Sequence, residues 1–199
     1  MSDAWLVVGL GNPGAEYERT RHNVGQMVLD ELASRTRGSF KRHRSGARVA
    51  EVRLGVLPGG APGPRVVLAA PTSYMNVSGG PVAGLAKYFD VDVDHVVVVH
   101  DELDVDFGAV RLKRGGGEGG HNGLRSISKS LGDKDYLRVR VGIGRPPGRQ
   151  DPADFVLKEF SGTEKKDLPF LLMDAADAVE KLVAEGLEPA QQKFHAPAG

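Results

Sequence analysis

The chain of 199 residues contains no cysteine, which excludes thiolate catalysis, disulfide bonds and zinc sites with cysteine ligands. It also lacks any apolar run of about 18 residues, and its N-terminus has no basic segment followed by a long apolar stretch. These absences predict a protein without membrane segments in a reducing, cytoplasmic compartment. Aromatic residues make up only 6% of the chain, which disfavours a module that binds nucleic acid by stacking alone.

Net charge gives no indication of a polyanionic partner, because 26 basic residues balance 26 acidic ones. The distribution along the chain is uneven. Seven Lys and Arg stand against one Glu between Arg35 and Arg53, whereas ten acids stand against four lysines between Asp151 and Glu188. This asymmetry is compatible with one face that binds phosphates, and equally with an ordinary solvated surface.

Hydrophobic periodicity predicts an α/β protein, a single-domain mixed β-sheet sandwiched by α-helices, over residues 1–199. The predicted strands are Trp5–Val8, Arg48–Leu54, Arg65–Ala70, Val96–Val99, Ala109–Lys113 and Tyr136–Ile143. Because Val96–Val99 is an uninterrupted apolar run, it is expected at the centre of the sheet. A long helix is predicted from near Asp167, where Pro169 falls in the first turn, and is expected to end at Gly186. Residues 187–199 are expected to form a flexible tail.

The first strand runs into a glycine-rich turn that formally matches the dinucleotide-binding fingerprint, through Gly9, Gly11 and Gly14. That interpretation requires the third glycine to open a helix whose free N–H groups bind a pyrophosphate. Pro13 lacks an N–H, and the next helical pattern begins only near Val24. The turn therefore favours a different kind of site.

Polar clusters follow apolar strands or precede helices at Asn12 to His22, Tyr74 to Asn76, His100-Asp101 and His121-Asn122. Ligands of open α/β sheets bind beyond the carboxyl ends of the strands, so these clusters are expected to converge. The sequence has no nucleophile elbow and no metal-binding histidine spacing. A histidine polarised by a carboxylate can instead take a proton from water while amide donors stabilise an oxyanion. This chemistry suits hydrolysis of an ester without a covalent intermediate.

Several of these residues also have ordinary structural interpretations. Asn23, Asn76, Asn122 and Ser78 lie near helix starts, where capping explains such residues. His100 and His121 are compatible with structural roles. The glycine-rich run from Gly115 to Gly120 fits a lid, a phosphate-binding backbone or a plain loop.

Five motifs, taken together and in this order, resemble those of the bacterial peptidyl-tRNA hydrolase family. They are GLGNPGAEYERTRHNVG (9–25), PTSYMNVSG (71–79), HDELD (100–104), GGGEGGHNGLRSI (115–127) and RVRVGIGRP (138–146). The resemblance covers roughly Trp5 to Phe160 and implies cleavage of the ester between a peptide and the 3′ ribose of tRNA. It implies peptidyl-tRNA as the partner, no cofactor, no metal and no membrane; a monomer is expected.

The resemblance also assigns roles residue by residue. It implies that His22 is the general base, that Asp101 orients it, and that Asn12 distinguishes a peptide from a free amino group. The positions implied to bind the substrate or the tRNA phosphates are Tyr17, Tyr74, Met75, Asn76, Asn122, Lys113 and Arg140.

Two questions stay open at the level of sequence. The helix that begins near Val24 lowers the pKa of His22 through its dipole, whereas Asp101 raises it, and the sequence does not show which effect is larger. A non-catalytic RNA-binding domain and a nucleotide-binding α/β protein are the remaining alternatives.

Overall fold

The computed structural model describes residues 2–195, which form one seven-stranded mixed sheet with helices on both faces. The strands are β1 (Trp5–Gly9), β2 (Lys41–His43), β3 (Ala47–Arg53), β4 (Arg65–Pro71), β5 (Val96–Glu102), β6 (Val110–Arg114) and β7 (Leu137–Gly142). Their order across the sheet is β2-β3-β4-β1-β5-β7-β6. The central strands β4, β1, β5 and β7 run parallel, and both ends of the sheet are antiparallel. The fold predicted from the sequence is therefore confirmed.

The centre of the sheet is buried on both faces because its strands are continuously apolar. Leu6, Val7 and Val8 in β1 are fully buried, as is the run Val96–Val99 in β5. Strand β5 lies between β1 and β7, so its predicted central position is confirmed.

Six α-helices cover the two faces. They are α1 (Val24–Thr36), α2 (Gly79–Tyr88), α3 (Asn122–Leu131), α4 (Pro152–Val156), α5 (Gly162–Glu185) and α6 (Leu187–Phe194). Helices α2 and α3 bury one face of the sheet, and α1, α4, α5 and α6 bury the other. Short 3₁₀ turns precede α1, α2 and β5, at Arg21–Asn23, Met75–Val77 and Val93–His95. No helix among residues 2–195 is both long and apolar enough to cross a membrane.

The long helix α5 begins five residues earlier than the sequence pattern predicts. Ser161 accepts a hydrogen bond from the Glu164 backbone N–H, and the Glu164 carboxylate accepts one from the Ser161 N–H. This reciprocal capping box starts the helix at Gly162 and leaves Pro169 in its interior. The predicted start near Asp167 was wrong because the capping box of Ser161 and Glu164, and not Pro169, determines where the helix begins. The predicted end at Gly186 is confirmed.

The segment expected as a flexible tail begins instead with helix α6, which packs against the edge strand β6. The Gln191 side-chain amide donates to the Leu112 carbonyl over 3.1 Å, and the Leu112 N–H donates to His195 Nε2 over 2.9 Å. These bonds satisfy backbone groups that an edge strand leaves free. The rest of the predicted tail, residues 196–199, lies outside the described residues.

Candidate active site

The site lies where β4, β1 and β5 end at the same edge of the sheet. Asn12 follows β1, Tyr74 to Asn76 follow β4, and Asp101 is the sixth residue of β5. The Leu10 N–H donates to the Val99 carbonyl over 3.1 Å and so joins the ends of β1 and β5. The three strands run parallel, so the clusters that follow them meet at one edge of the sheet, as predicted.

Helix α1 brings His22 to this edge. Gly25 lies in its first turn, and a Cβ there would collide with the carbonyl oxygen of Val99 in β5. A glycine at this position is what allows the helix to approach the sheet so closely. The preceding 3₁₀ turn, which carries His22, is thereby placed beside the end of β5.

The side chains surround a cleft of about 470 Å³. Its walls are the ends of β4, β1 and β5 with the polar clusters, the glycine-rich loop and helix α4. The lining residues are Asn12, His22, Tyr74, Met75, Asn76, His100, Asp101, Glu102, Leu103, Glu118, Gly119, Gly120, His121, Asn122, Pro152, Ala153, Val156 and Leu157.

Asp101 lies at the base of the cleft and contacts two histidines. Its Oδ2 is 2.8 Å from His22 Nδ1, and its Oδ1 is 2.8 Å from His121 Nε2. Burial alone raises the pKa of Asp101, but the charges and hydrogen bonds of His22 and His121 outweigh burial and hold this pKa well below its ordinary value. Asp101 is therefore an ionised acceptor, and both ring nitrogens donate to it.

His22 is left with its other ring nitrogen free to accept a proton. Burial lowers the pKa of His22, but the charge of Asp101 and the hydrogen bond to it raise the pKa above the ordinary 6.5. At His22 the two effects of the carboxylate together outweigh burial. An imidazole with Nδ1 fixed by a carboxylate presents Nε2 as a general base.

The sequence places His121 in one of the polar clusters and also allows it a structural role; in the structure it has a second contact besides Asp101. Its Nδ1 accepts the backbone N–H groups of Gly123 and Leu124, over 3.1 and 3.4 Å. His121 is therefore the N-cap of α3, a position the sequence suggested for Asn122. Two N–H donors at Nδ1 place the ring proton on Nε2, which donates to Asp101. The His121-Asn122 pair at the start of a helical pattern is the sequence signal that could have identified this cap.

The same hydrogen bonds bear on metal binding. His22, Asp101 and His121 present atoms within 4.8 Å of one another, a geometry that can hold an ion. A metal would need a lone pair on His121 Nε2, which requires the ring proton at Nδ1, facing the two N–H groups of the helix start. The capping role of His121 therefore disfavours a metal at these three atoms.

His100 contributes no charge to the cleft. It is 1% exposed, and its Nδ1 donates to the Asp101 backbone carbonyl over 2.7 Å. Burial, together with the neighbouring His121, lowers the pKa of His100 to about 3. The ring is neutral at physiological pH and packs beside His121.

Asn12 is held in one orientation by two neighbours. Its side-chain oxygen accepts the Met75 backbone N–H over 2.7 Å. Its backbone N–H and C=O both pair with the Asn23 side chain over 2.9 Å. Asn23 does not cap α1, as the sequence suggested, because its amide is used to fix Asn12. Since Oδ1 is occupied, Asn12 presents the two N–H donors of its Nδ2 to the cleft.

The other predicted site residues divide into two groups. The residues that line the cleft are Tyr74, Met75, Asn76 and Asn122. Tyr17 is not among the lining residues and packs edge-to-face against Tyr74, with 6.5 Å between the ring centres. Ser78 does not cap α2; its hydroxyl donates to the Met75 carbonyl over 2.7 Å and so supports this wall.

Lys113 and Arg140 lie beside the cleft, on β6 and β7, and not among its lining residues. Arg140 is in register with His100 of the adjacent strand. Burial lowers the pKa of Lys113, and the charges of Arg140 and Arg138 lower it further. The mutual repulsion shows that these cations form one cluster.

Comparison with known proteins gives consistent matches over the whole chain. A family model described as peptidyl-tRNA hydrolase matches residues 6–198. A peptidyl-tRNA hydrolase of Kineococcus radiotolerans is 92% identical over 198 residues and covers 100% of both chains. One of Arthrobacter sp. strain FB24 is 70% identical and covers 98% of both chains.

Solved structures agree with the sequence matches. A peptidyl-tRNA hydrolase from Acinetobacter baumannii superposes with a TM-score of 0.84 at 35% identity, over 98% of this chain and 96% of that one. A complex of a peptidyl-tRNA hydrolase with N-propanol superposes with a TM-score of 0.86 at 34% identity, over 100% and 98%.

Proposed function

The chain belongs to the peptidyl-tRNA hydrolase family, and from that premise we propose that His22, oriented by Asp101, activates the water that cleaves the substrate ester. The enzyme hydrolyses the bond between a peptide and the 3′ ribose of tRNA, which recycles tRNA from peptidyl-tRNA released too early. The observation that carries the mechanism is the 2.8 Å contact between His22 Nδ1 and Asp101 Oδ2 at the base of the cleft.

The proposed reaction needs one base and no covalent intermediate. His22 Nε2 takes a proton from water, and the resulting hydroxide attacks the ester carbonyl. Amide N–H donors of the cleft stabilise the oxyanion. The tetrahedral intermediate then expels the ribose 3′ oxygen, which receives the proton from the His22 imidazolium. Asp101 stabilises that imidazolium and keeps Nε2 directed toward the substrate.

Asn12 is proposed as the group that distinguishes peptidyl-tRNA from aminoacyl-tRNA. It presents N–H donors to the cleft, and a peptide offers a carbonyl oxygen that accepts them. The free α-ammonium of aminoacyl-tRNA can only donate, so it leaves the Asn12 amide without a partner. An unpaired buried donor costs about 1–3 kcal/mol, enough for a useful preference.

The remaining candidate residues are proposed to bind the two ends of the substrate. Asn76 and Asn122 would bind the peptide backbone, Tyr74 with Tyr17 and Met75 would line its path, and Lys113 with Arg140 would contact tRNA phosphates. An amide side chain supplies both a donor and an acceptor, which allows binding of any peptide sequence.

We further propose that residues 1–199 act as one domain, as a monomer and in the cytoplasm. The two apolar layers share a single sheet. Three exposed large apolar side chains, Val56, Tyr88 and Phe170, lie on different segments: the β3–β4 connection, α2 and α5. The substrate is a product of translation, which takes place in the cytoplasm.

The test is His22→Ala, assayed by release of free tRNA from N-acetylated aminoacyl-tRNA. We expect the rate to fall by roughly 10²–10⁴-fold, the usual contribution of a positioned base. His95→Ala is the matched control, because His95 lies outside the cleft and should leave the rate unchanged. Near wild-type turnover in His22→Ala with intact circular dichroism would remove His22 from the mechanism.

A further inference from the structure

One wall of the cleft is a helix that is too short to be stable without contacts to other elements. Helix α4 has five residues and follows a connection, residues 143–151, that contains no helix or strand. Helices of this length are unstable alone, because few backbone bonds offset the cost of ordering the first turn. Yet Pro152, Ala153 and Val156 of α4 line the cleft together with Leu157. Contacts with other elements must therefore hold this wall.

Arg21 supplies such contacts, and it is the residue next to the proposed base. Its side chain is 8% exposed. Nη1 donates to the Phe155 carbonyl of α4 over 3.0 Å, and the guanidinium carbon lies 3.8 Å from the centre of the Phe155 ring. The Arg21 backbone N–H donates to the Lys158 carbonyl, also over 3.0 Å. One residue thus attaches both its main chain and its side chain to the α4 segment.

The guanidinium also reaches the start of α5. Nη2 donates to Glu164 Oε1 over 3.0 Å, the same carboxylate oxygen that accepts the Ser161 N–H in the capping box. A planar guanidinium can stack on a ring and donate two directed bonds at once. A lysine ammonium is not planar, so it cannot stack on a ring and has no fixed pair of N–H donors. The geometry therefore uses properties specific to arginine.

His22 is positioned without these side-chain contacts. Asp101 fixes the His22 ring, and the backbone of the 3₁₀ turn is closed by the bond from the Asn23 N–H to the Thr20 carbonyl, 3.0 Å. Loss of the Arg21 guanidinium would remove its side-chain contacts to α4 and leave the base aligned.

We infer that Arg21 is a positioning residue that fixes the α4 wall opposite His22 and so determines how tightly the substrate binds. The inference rests on the proposed binding of peptidyl-tRNA in this cleft. An ordinary buried ion pair explains the Glu164 contact alone, and such pairs contribute little to stability. It does not explain the contacts with the Phe155 ring and with the Phe155 and Lys158 carbonyls, in the segment that lines the cleft.

The experiment compares Arg21→Lys with Arg35→Lys. Arg35 is the matched control, because it forms ion pairs with Glu31, Asp177 and Glu180 between α1 and α5, away from the cleft. For both variants kcat, KM and the pH profile are measured below the melting temperature. We expect Arg21→Lys to raise KM roughly ten-fold, with kcat within about two-fold and an unchanged pH profile. Arg35→Lys should lower the melting temperature and leave KM unchanged.

Phe155→Leu provides a second test, because it removes the stacking partner and keeps an apolar side chain in the core. It should raise KM in the same direction as Arg21→Lys. A fall in kcat with a displaced pH profile in Arg21→Lys would show that Arg21 acts on His22, and would overturn the inference. A lower melting temperature without any change in KM would assign Arg21 a structural role only. Failure of the proposed function is a separate result, an active His22→Ala enzyme.

Discussion

At the scale of single residues, Asp101 contacts two histidines and raises the pKa of one of them, His22. It is 4% exposed and accepts a hydrogen bond from each ring. Because the carboxylate stabilises the imidazolium of His22, it makes this residue a stronger base and also a group that titrates at a higher pH.

The raised pKa of His22 predicts the acid limb of the pH profile. As a base His22 must be neutral, so kcat/KM should fall as the pH drops through a value above 6.5. Asp101→Asn removes the charge, and should both lower the rate and move this limb to lower pH. Asp104→Asn is the control, because Asp104 is exposed and pairs with Arg145. An acid limb that stays in place in Asp101→Asn would contradict the assignment.

The contribution of His22 to stability should follow the opposite pH dependence. A histidine whose pKa is raised by folding stabilises the folded state below its unfolded pKa, and this contribution disappears as the pH rises through the folded pKa. The proton that stabilises the fold at His22 is the one that prevents catalysis.

Asn12→Asp tests the selection of substrate. Met75 N–H still has an acceptor in the variant, but the atom facing the cleft changes from a donor to an anionic acceptor. The variant should therefore favour the free ammonium and lose preference for blocked substrate. The measurement is kcat/KM for acetylated and free forms of the same aminoacyl-tRNA. Equal slowing of both forms would show that Asn12 is not the selector.

How far the sequence predicts the site depends on the kind of contact. His22 and Asp101 stand in motifs at a turn and a strand end, so their convergence follows from parallel strands. The roles of Asn23 and His121 do not follow, since the sequence suggests caps at Asn23 and Asn122. Only the fold shows that Asn23 pairs with Asn12 and that His121 does cap.

At the scale of elements, apolar runs predicted six of the seven strands, and β2 was missed because Lys41–His43 is entirely polar. The helix ends depended on local polar contacts. Strand β5 is longer than predicted, because His100 and Asp101 still pair with β7. Helix α4 is not among the predicted elements, although Asp151 caps it and Pro152 stands at its first position. Helix α6 was missed because a stretch of eight residues shows little periodicity by itself.

The bonds between α6 and β6 predict different effects for two adjacent glutamines. Gln191→Ala removes the donor to the Leu112 carbonyl and should lower the free energy of unfolding by about 1 kcal/mol. Gln192→Ala is the matched control, because Gln192 is exposed. Urea denaturation of both variants is the measurement. Equal stability of the two would mean that the bond to β6 contributes nothing.

At the scale of the whole molecule, the proposed ester site and the proposed phosphate site occupy adjacent parts of one sheet. Lys113 and Arg140 belong to the end β6–β7, whereas the basic residues of β2 lie at the other end. A tRNA bound at β6–β7 would extend its 3′ end along the strand ends to His22.

This arrangement predicts that Lys113→Ala and Arg140→Ala raise KM equally for all tRNAs. Each should also flatten the salt dependence of binding by about one unit of slope, because phosphate contacts release counterions. Arg42→Ala on β2 is the control with an equal change of charge at the far end, and should leave both quantities unchanged. Strong discrimination among tRNAs by either variant would indicate base contacts instead.

The pairing of β6 with β7 sets four cations in two facing pairs, Arg111 opposite Arg140 and Lys113 opposite Arg138. Like charges directly opposite one another destabilise a sheet, and tRNA phosphates bound here as proposed would reduce this repulsion. Added salt screens this repulsion and also competes with tRNA. Added salt should therefore raise the thermal stability of the free enzyme and lower its affinity for tRNA. The salt concentration at which the free enzyme has its highest melting temperature would be one at which it binds tRNA weakly.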